Sequence, residues 1–294
     1  MLAVLALALV KATSAVASNT LILQDAFFPS WSPDGTALLC NRPSDGSYDD
    51  EDIEIWLVSD NGSDPQLIVE ASLGPFIPLW LPDGDRIVYF RAYYRTQEFV
   101  VHDLGGGPPL IWPVAGVWDD PGFALTPDGS EILYTVQGAA AFETWALDLA
   151  TGATRFVWPG SGGRISPDGA WIAFINEGDS LCVAPLGGGS VHAFESGWTP
   201  WWTPDSRFII FTTGWNESGI RNLIQVNRDG SGRWELTSDP GGEFSPVVSP
   251  DGRRVAYFHS PSGEWEPYSV WILDLEETTR SEAMTWGGVK QMFR

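Results

Sequence analysis

"VVSPDGRRVAYFH", residues 247–259, sets a tight turn between two apolar runs, and its tetrapeptide Ser249-Pro250-Asp251-Gly252 recurs along the chain. Ser32-Pro33-Asp34-Gly35 and Ser166-Pro167-Asp168-Gly169 are identical copies, and Leu81-Pro82-Asp83-Gly84, Thr126-Pro127-Asp128-Gly129 and Thr203-Pro204-Asp205-Ser206 are near copies. The prolines stand roughly 43 residues apart on average, a period that points to strand-rich units repeated around an axis. A serine beside a carboxylate could serve as a nucleophile and its base. A catalytic site occurs once, however, whereas a turn that every unit needs occurs in all of them. The tetrapeptide therefore reads as scaffold: Asp accepts from nearby backbone N–H groups and Gly supplies a positive φ. On this reading the Ser249 hydroxyl is expected to be dispensable.

The segments around the turn repeat as well. Ahead of it stands a short stretch with a proline and an apolar or aromatic residue, as in "FFPSWSPDG" and "EFSPVVSPDG", read as an inner strand A. After it come "ALLCNR", "RIVYFR", "EILYTV", "WIAFIN", "FIIFTT" and "RVAYFH". These runs show little alternation, as expected of a strand B covered on both faces. Strand C follows ("EIWLVSD", "VWILDL"), and a second turn such as Asp229-Gly230 leads to an outer strand D ("WELTS", "RFVWP").

At this point the unit 223–259 resembles the TolB-like (PD40, WD40-like) β-propeller repeat, and the likeness extends over most of residues 19–287. The resemblance implies an all-β fold: a six-bladed β-propeller of four-stranded antiparallel blades. TolB carries a further α/β domain ahead of its propeller that nothing here matches, so the likeness is to the repeat. Residues 18–294 are read as one propeller domain, because six such units leave no room for a second domain.

"NTLILQD" (19–25) precedes the first turn as a strand D without its own blade. It is expected to close the ring beside the strand C at 269–275, with "SEAMTWGG" (281–288) outside it. Ahead of it, Leu2–Val10 is an apolar run too short for a membrane span, and Ala15-Val16-Ala17 fits a small-residue cleavage site. Residues 1–17 are thus read as a signal peptide and the mature chain as exported, periplasmic or extracellular, without a membrane span. A truncated start or anchor stub would account for the missing basic n-region.

Net charge is −22, from 38 acidic and 16 basic residues, which disfavours nucleic acid as a partner. Cys40 and Cys182 fall in the first and fourth units, too far apart to pair, and align with apolar positions, so both are expected to be buried thiols. His102 aligns with Val58 and Leu147 and reads as a core histidine. Gly178-Asp179-Ser180-Leu181 spells the block of the GDSL esterases, but the downstream Asp-x-x-His is missing. No nucleophile elbow, zinc-ligand spacing or cofactor motif is present. The acidic run 44–54 lacks the alternation of a calcium loop.

Recognition in propellers tends to sit on the face where D–A and B–C connections gather. Phe28, Phe76, Trp118, Trp198 and Phe244 fall in the first set of connections, and Tyr48, Tyr93, Tyr94, Trp215 and Trp265 in the second. At the end of strand B, Arg42, Arg91 and His259 would form a basic arc in an acidic protein, holding a ligand carboxylate or neutralising Asp49, Asp50 and Glu51. The function these residues support is a monomeric, non-catalytic binding module for a protein, peptide or glycan. The competing class is a propeller-fold hydrolase or lyase with a site at the central channel.

Overall fold

The computed structural model describes residues 19–46, 53–70, 75–93, 96–118, 122–214, 220–238, 240–261 and 267–275. The leader 1–17, the segment 281–288, most of the acidic run, and Tyr48, Tyr94, Trp215 and Trp265 lie outside them.

In chain order, β1 (Asn19–Gln24) precedes a sheet of β2 (Phe27–Trp31), β3 (Ala37–Pro43), β4 (Ile53–Ser59) and β5 (Gln66–Val69). A second sheet holds β6 (Pro75–Trp80), β7 (Arg86–Tyr93), β8 (Thr96–Asp103) and β9 (Leu110–Val114). A third holds β10 (Ala124–Leu125), β11 (Glu131–Gln137), β12 (Phe142–Asp148) and β13 (Thr154–Pro159). Next come β14 (Ser161–Ile165), β15 (Trp171–Ile175), β16 (Ser180–Pro185), β17 (His192–Trp202), β18 (Phe208–Thr213), β19 (Leu223–Asn227) and β20 (Arg233–Glu235), in one seven-stranded sheet. The closing sheet holds β21 (Gly242–Val248), β22 (Arg254–Ser260) and β23 (Ser269–Asp274), with β1 at its edge.

The fold is thus an all-β propeller of antiparallel four-stranded blades. Separate four-stranded sheets were expected throughout, but among the described residues four stand alone and one sheet has seven strands. The cause is local. No turn residue separates Ser196 from Gly197, so β17 pairs β16 through its first half and β18 through its second.

Strand B is buried along nearly its whole length in every sheet, as its unbroken apolar runs require (β18 reads intermediate only at its ends). Outer strands such as β5 and β13 remain half-buried or exposed. Cys40 and Cys182 sit on β3 and β16 as free, buried thiols, and burial pushes both thiol pKa values up. His102 is only half-buried, unlike its column mates Val58 and Leu147, so the core reading fits it loosely.

The recurrent turns share one hydrogen-bond pattern. Ser32 Oγ donates to Asp34 Oδ1 at 2.6 Å and accepts from the Ala37 N–H at 3.0 Å. Ser249 Oγ likewise donates to Asp251 at 2.5 Å and accepts from Arg254 N–H at 3.0 Å. Thr126, Ser166 and Thr203 repeat the contact with Asp128, Asp168 and Asp205. Ser249 is fully buried, so its hydroxyl is not dispensable: removing it would strand the Arg254 N–H, at a cost of about 1 kcal/mol. The hydroxyls, with the backbone N–H groups behind them, hold Asp34, Asp128 and Asp168 below the usual aspartate range. Asp83 follows Leu81, which has no hydroxyl, and takes Arg86 Nε at 2.8 Å in its place.

The turns also contact one another around the ring. A Cβ built on Gly35 would stand 3.6 Å from Pro250, on Gly84 4.0 Å from Pro33, on Gly129 2.4 Å from Pro82, and on Gly252 3.4 Å from Pro204. Three of these glycines therefore face the proline of the turn before them and Gly35 faces the last turn, while a Cβ on Gly169 would meet nothing within 4 Å. Between Asp168 and Ser206, where Ser replaces Gly, a hydrogen bond of 3.0 Å from the Asp168 N–H to Ser206 Oγ fills the same role.

This ring makes Gly129 and Gly169 a matched pair. Both have φ near +70° (+69° and +71°), but only Gly129 abuts a neighbour. Gly169→Ala is expected to cost the left-handed strain alone, about 1–2 kcal/mol. Gly129→Ala adds an overpacking cost of about 1–3 kcal/mol against Pro82. Urea denaturation measures both; equal losses would contradict the interlocked ring.

Candidate functional site

Strand A is bulged in the same place in five units. Ladder register slips between Phe27 and Ser30, Phe76 and Leu79, Ser161 and Arg164, Trp198 and Trp201, and Phe244 and Val247. Within each slip lies a residue of positive φ: Phe28 (48°), Ile77 (43°), Gly162 (62°), Thr199 (50°) and Ser245 (48°). In four of the five the next residue is a proline, which has no N–H to leave unpaired at a break in the ladder. A bulge re-aims the side chains around it. Here Phe28, Ile77, Gly162, Thr199 and Ser245 all line a cavity of about 1210 Å³ shared by every sheet.

The cavity lies toward the D–A and B–C connections. Its walls include Trp118, the 137–142 turn, Asn176, Glu177, Asp179 and Trp198, and no residue of the Ser/Thr-Pro-Asp-Gly turns. One wall is an aromatic cluster across the ring closure, where Phe244 stacks on Phe258 at 5.1 Å and Phe28 meets Phe258 edge-on at 5.3 Å. Trp118, 39% exposed, meets Phe142 at 4.7 Å. Trp201 packs against core clusters of the first, second, third and closing sheets, which places it near the axis. Among the described residues the charged lining groups are Arg164, Arg221, Glu177 and Asp179. Arg164 Cζ lies 4.1 Å over the Trp201 ring, and Arg221 Cζ lies 5.2 Å over Phe244. Glu177 and Asp179 are exposed on the turn between β15 and β16.

Of the residues singled out from sequence, Trp118 and Trp198 line the cavity, as do Phe28 and Phe244. Phe76 sits on β6 opposite Phe90. Arg42, Arg91 and His259 end strand B as aligned, but each is engaged within its own sheet and none lines the cavity. Arg91 Nε donates to Glu98 Oε1 at 2.7 Å, and Arg42 Cζ lies 5.0 Å over Trp56. His259 Nδ1 is 3.5 Å from Glu243 Oε1, whose side chain is 1% exposed and accepts from Thr237 Oγ1 at 3.1 Å. The cations that do face the cavity, Arg164 and Arg221, were not singled out. Neither carries the signal that the sequence offers elsewhere, since Gly163 stands at that place in the Arg164 strand and Arg221 lies between β18 and β19: a second proline, Pro29, Pro78, Pro200 or Pro246, four residues ahead of the turn proline. It marks the bulge and so identifies which neighbours turn toward the axis.

Fold and cavity together define a β-propeller of antiparallel blades with an axial pocket. No family model matches the chain. Over 68 residues, 22% of its length, it is 28% identical to dipeptidyl-peptidase 5 of Porphyromonas gingivalis, and this stretch is 10% of that protein. Among solved structures it is similar to TolB from Acinetobacter baumannii (TM-score 0.62, 18% identity), which covers 86% of this chain and 63% of that one. It is similar to a gluconolactonase from Xanthomonas campestris (TM-score 0.63, 13% identity, 91% of this chain and 92% of that one). It is similar also to an oligogalacturonate lyase in complex with manganese (TM-score 0.57, 14% identity, 90% and 94%). At such identities the likeness is one of fold.

Ile77 and Thr199 are β-branched residues held in the left-handed region, a conformation that costs of order 1–3 kcal/mol and persists only where the surroundings impose it. Thr199→Asn, which tolerates that region, is expected to leave stability equal or raise it by up to about 1 kcal/mol in urea denaturation. A loss beyond about 1 kcal/mol would show that the Thr199 side chain, 3.4 Å from Thr212 Oγ1, stabilises more than its backbone strain costs.

Proposed function

We propose that the protein is an exported, non-catalytic, six-bladed binding module that holds a protein, peptide or glycan in the axial cavity, on the face of the D–A and B–C connections. In this reading the seven-stranded sheet counts as two blades sharing β17, so that blades and turns agree in number. The axial cavity carries the proposal. At about 1210 Å³ it exceeds the usual small-molecule pocket, which leaves room for a peptide or glycan, and its walls are mostly aromatic and aliphatic with a few charges, the usual balance of a recognition site. Export rests on the leader at 1–17. No helix among the described residues is long and apolar enough to cross a membrane.

A thermal-shift panel of short peptides, oligosaccharides including oligogalacturonate, and aldonolactones tests the reading, since a ligand of the native state raises the apparent melting temperature. A peptide or glycan is expected to stabilise the protein and to be recovered unchanged by mass spectrometry. Trp118→Ala combined with Trp198→Ala should weaken that binding by about tenfold or more. Consumption of the oligogalacturonate or lactone would overturn the non-catalytic assignment.

A further inference from the structure

Arg164 is the odd member of its column. The register of the bulged strands sets it level with Ser30, Leu79, Trp201 and Val247 on the other inner strands. Its backbone is fixed from both sides. The Gly162 N–H donates to Thr135 Oγ1 of the preceding sheet at 2.9 Å, and Trp202 Nε1 donates to the Arg164 carbonyl at 3.0 Å. The half-buried side chain lies on Trp201 and faces the cavity. Among the described residues it has no ion pair, and none of its N–H groups has a protein acceptor. Desolvation alone moves its pKa, down from the ordinary arginine range to about 9, so the guanidinium is charged at neutral pH. A rigidly placed cation with its donors free is a receptor awaiting an anion, since a guanidinium presents a planar fork matched to carboxylate or phosphate.

We propose that Arg164 is an anion-recognition residue, binding the carboxylate of a ligand whose apolar or aromatic body packs against Trp201, Phe28 and Phe244. This rests on the reading of the cavity as a binding site. One guanidinium neutralises one charge, and a protein of net charge −22 repels polyvalent anions, so a monocarboxylate fits better than a phosphate dianion. The carboxylate can be the C-terminus of a peptide or a free arylalkanoic acid.

Calorimetry at pH 7 in low salt tests this with two matched pairs: N-acetyl-Gly-Phe as free acid and as amide, and phenylacetate against phenylacetamide. The acid of at least one pair is expected to bind at least tenfold more tightly than its amide, and the pair that discriminates identifies the source. Arg164→Met should abolish the discrimination while leaving the melting temperature nearly unchanged, because no hydrogen bond or ion pair is lost and the Met side chain can keep a contact with the Trp201 ring in place of the guanidinium. Arg164→Lys should recover part of it, and Arg221→Met should retain it. Equal binding of acid and amide overturns the inference while leaving the binding-module reading intact. So does failure of both acids to bind at millimolar concentration. Retained discrimination in Arg164→Met, or a large drop in its melting temperature, also overturns it by showing the residue to be dispensable or structural. Turnover of a ligand would instead count against the non-catalytic reading alone.

Discussion

A sheet built of radiating units has two loose ends, and unpaired strand edges expose backbone groups that other chains can capture. Everything else in this structure depends on how the ends meet. β1 pairs antiparallel with β23, Thr20 opposite Ile272 and Gln24 opposite Ser269, so the first strand of the chain completes the last sheet. Side chains reinforce the seam. Arg254 of β22 donates to Asp60 at 2.8 Å and to the Gly35 carbonyl at 2.9 Å while lying 4.6 Å over Trp31, whose indole N–H donates to the Val247 carbonyl at 3.0 Å. Phe27, Phe28, Phe244, Phe258 and Tyr268 fill the space between the first and closing sheets. Closure is therefore achieved by backbone pairing, a charged staple and an aromatic cluster together.

Once closed, the ring presents two unlike ends. At one, four of the turns pack glycine against the proline of a neighbouring turn, and Asp168 and Ser206 join two more by a hydrogen bond. At the other, the bulges of strand A turn side chains off the ladder and toward the axis. The same strand thus serves both ends: its C-terminal half aligns the turn, and its N-terminal half lines the cavity. Strain at Ile77 and Thr199 is the local cost of this division. The closing aromatic cluster belongs to both systems, because Phe28, Phe244 and Phe258 join the seam and form a wall of the pocket.

Much of this was legible in the chain. The recurring Pro-Asp-Gly gave the repeat and the turns, and the unbroken runs such as "FIIFTT" gave the buried strand B. The orphan "NTLILQD" indicated the closing strand. What could not be read follows from geometry that periodicity does not encode. A strand reading assumes that alternate residues share a face, and a bulge breaks that rule, so Arg164 and Trp201 gave no sign of meeting near the axis. The arc of Arg42, Arg91 and His259 aligned correctly by column, yet Arg91 and His259 face Glu98 and Glu243 on adjacent strands of their own sheets. Column identity alone says nothing about such partners. The fusion of two units through β17 likewise reflects a missing turn between Ser196 and Gly197 that a repeat count passes over.

Ring closure through β1 is the claim on which the cavity, its aromatic wall and the bound state of any ligand depend. Native-state hydrogen exchange resolved to individual strands tests it most directly, since strands that open only with the whole molecule exchange at its global unfolding free energy. The account predicts that the amides of β1 paired to β23 are protected to the same free energy as those of the buried β22. Fast, independent exchange of β1, as in a frayed leader, with β22 still protected, would contradict it.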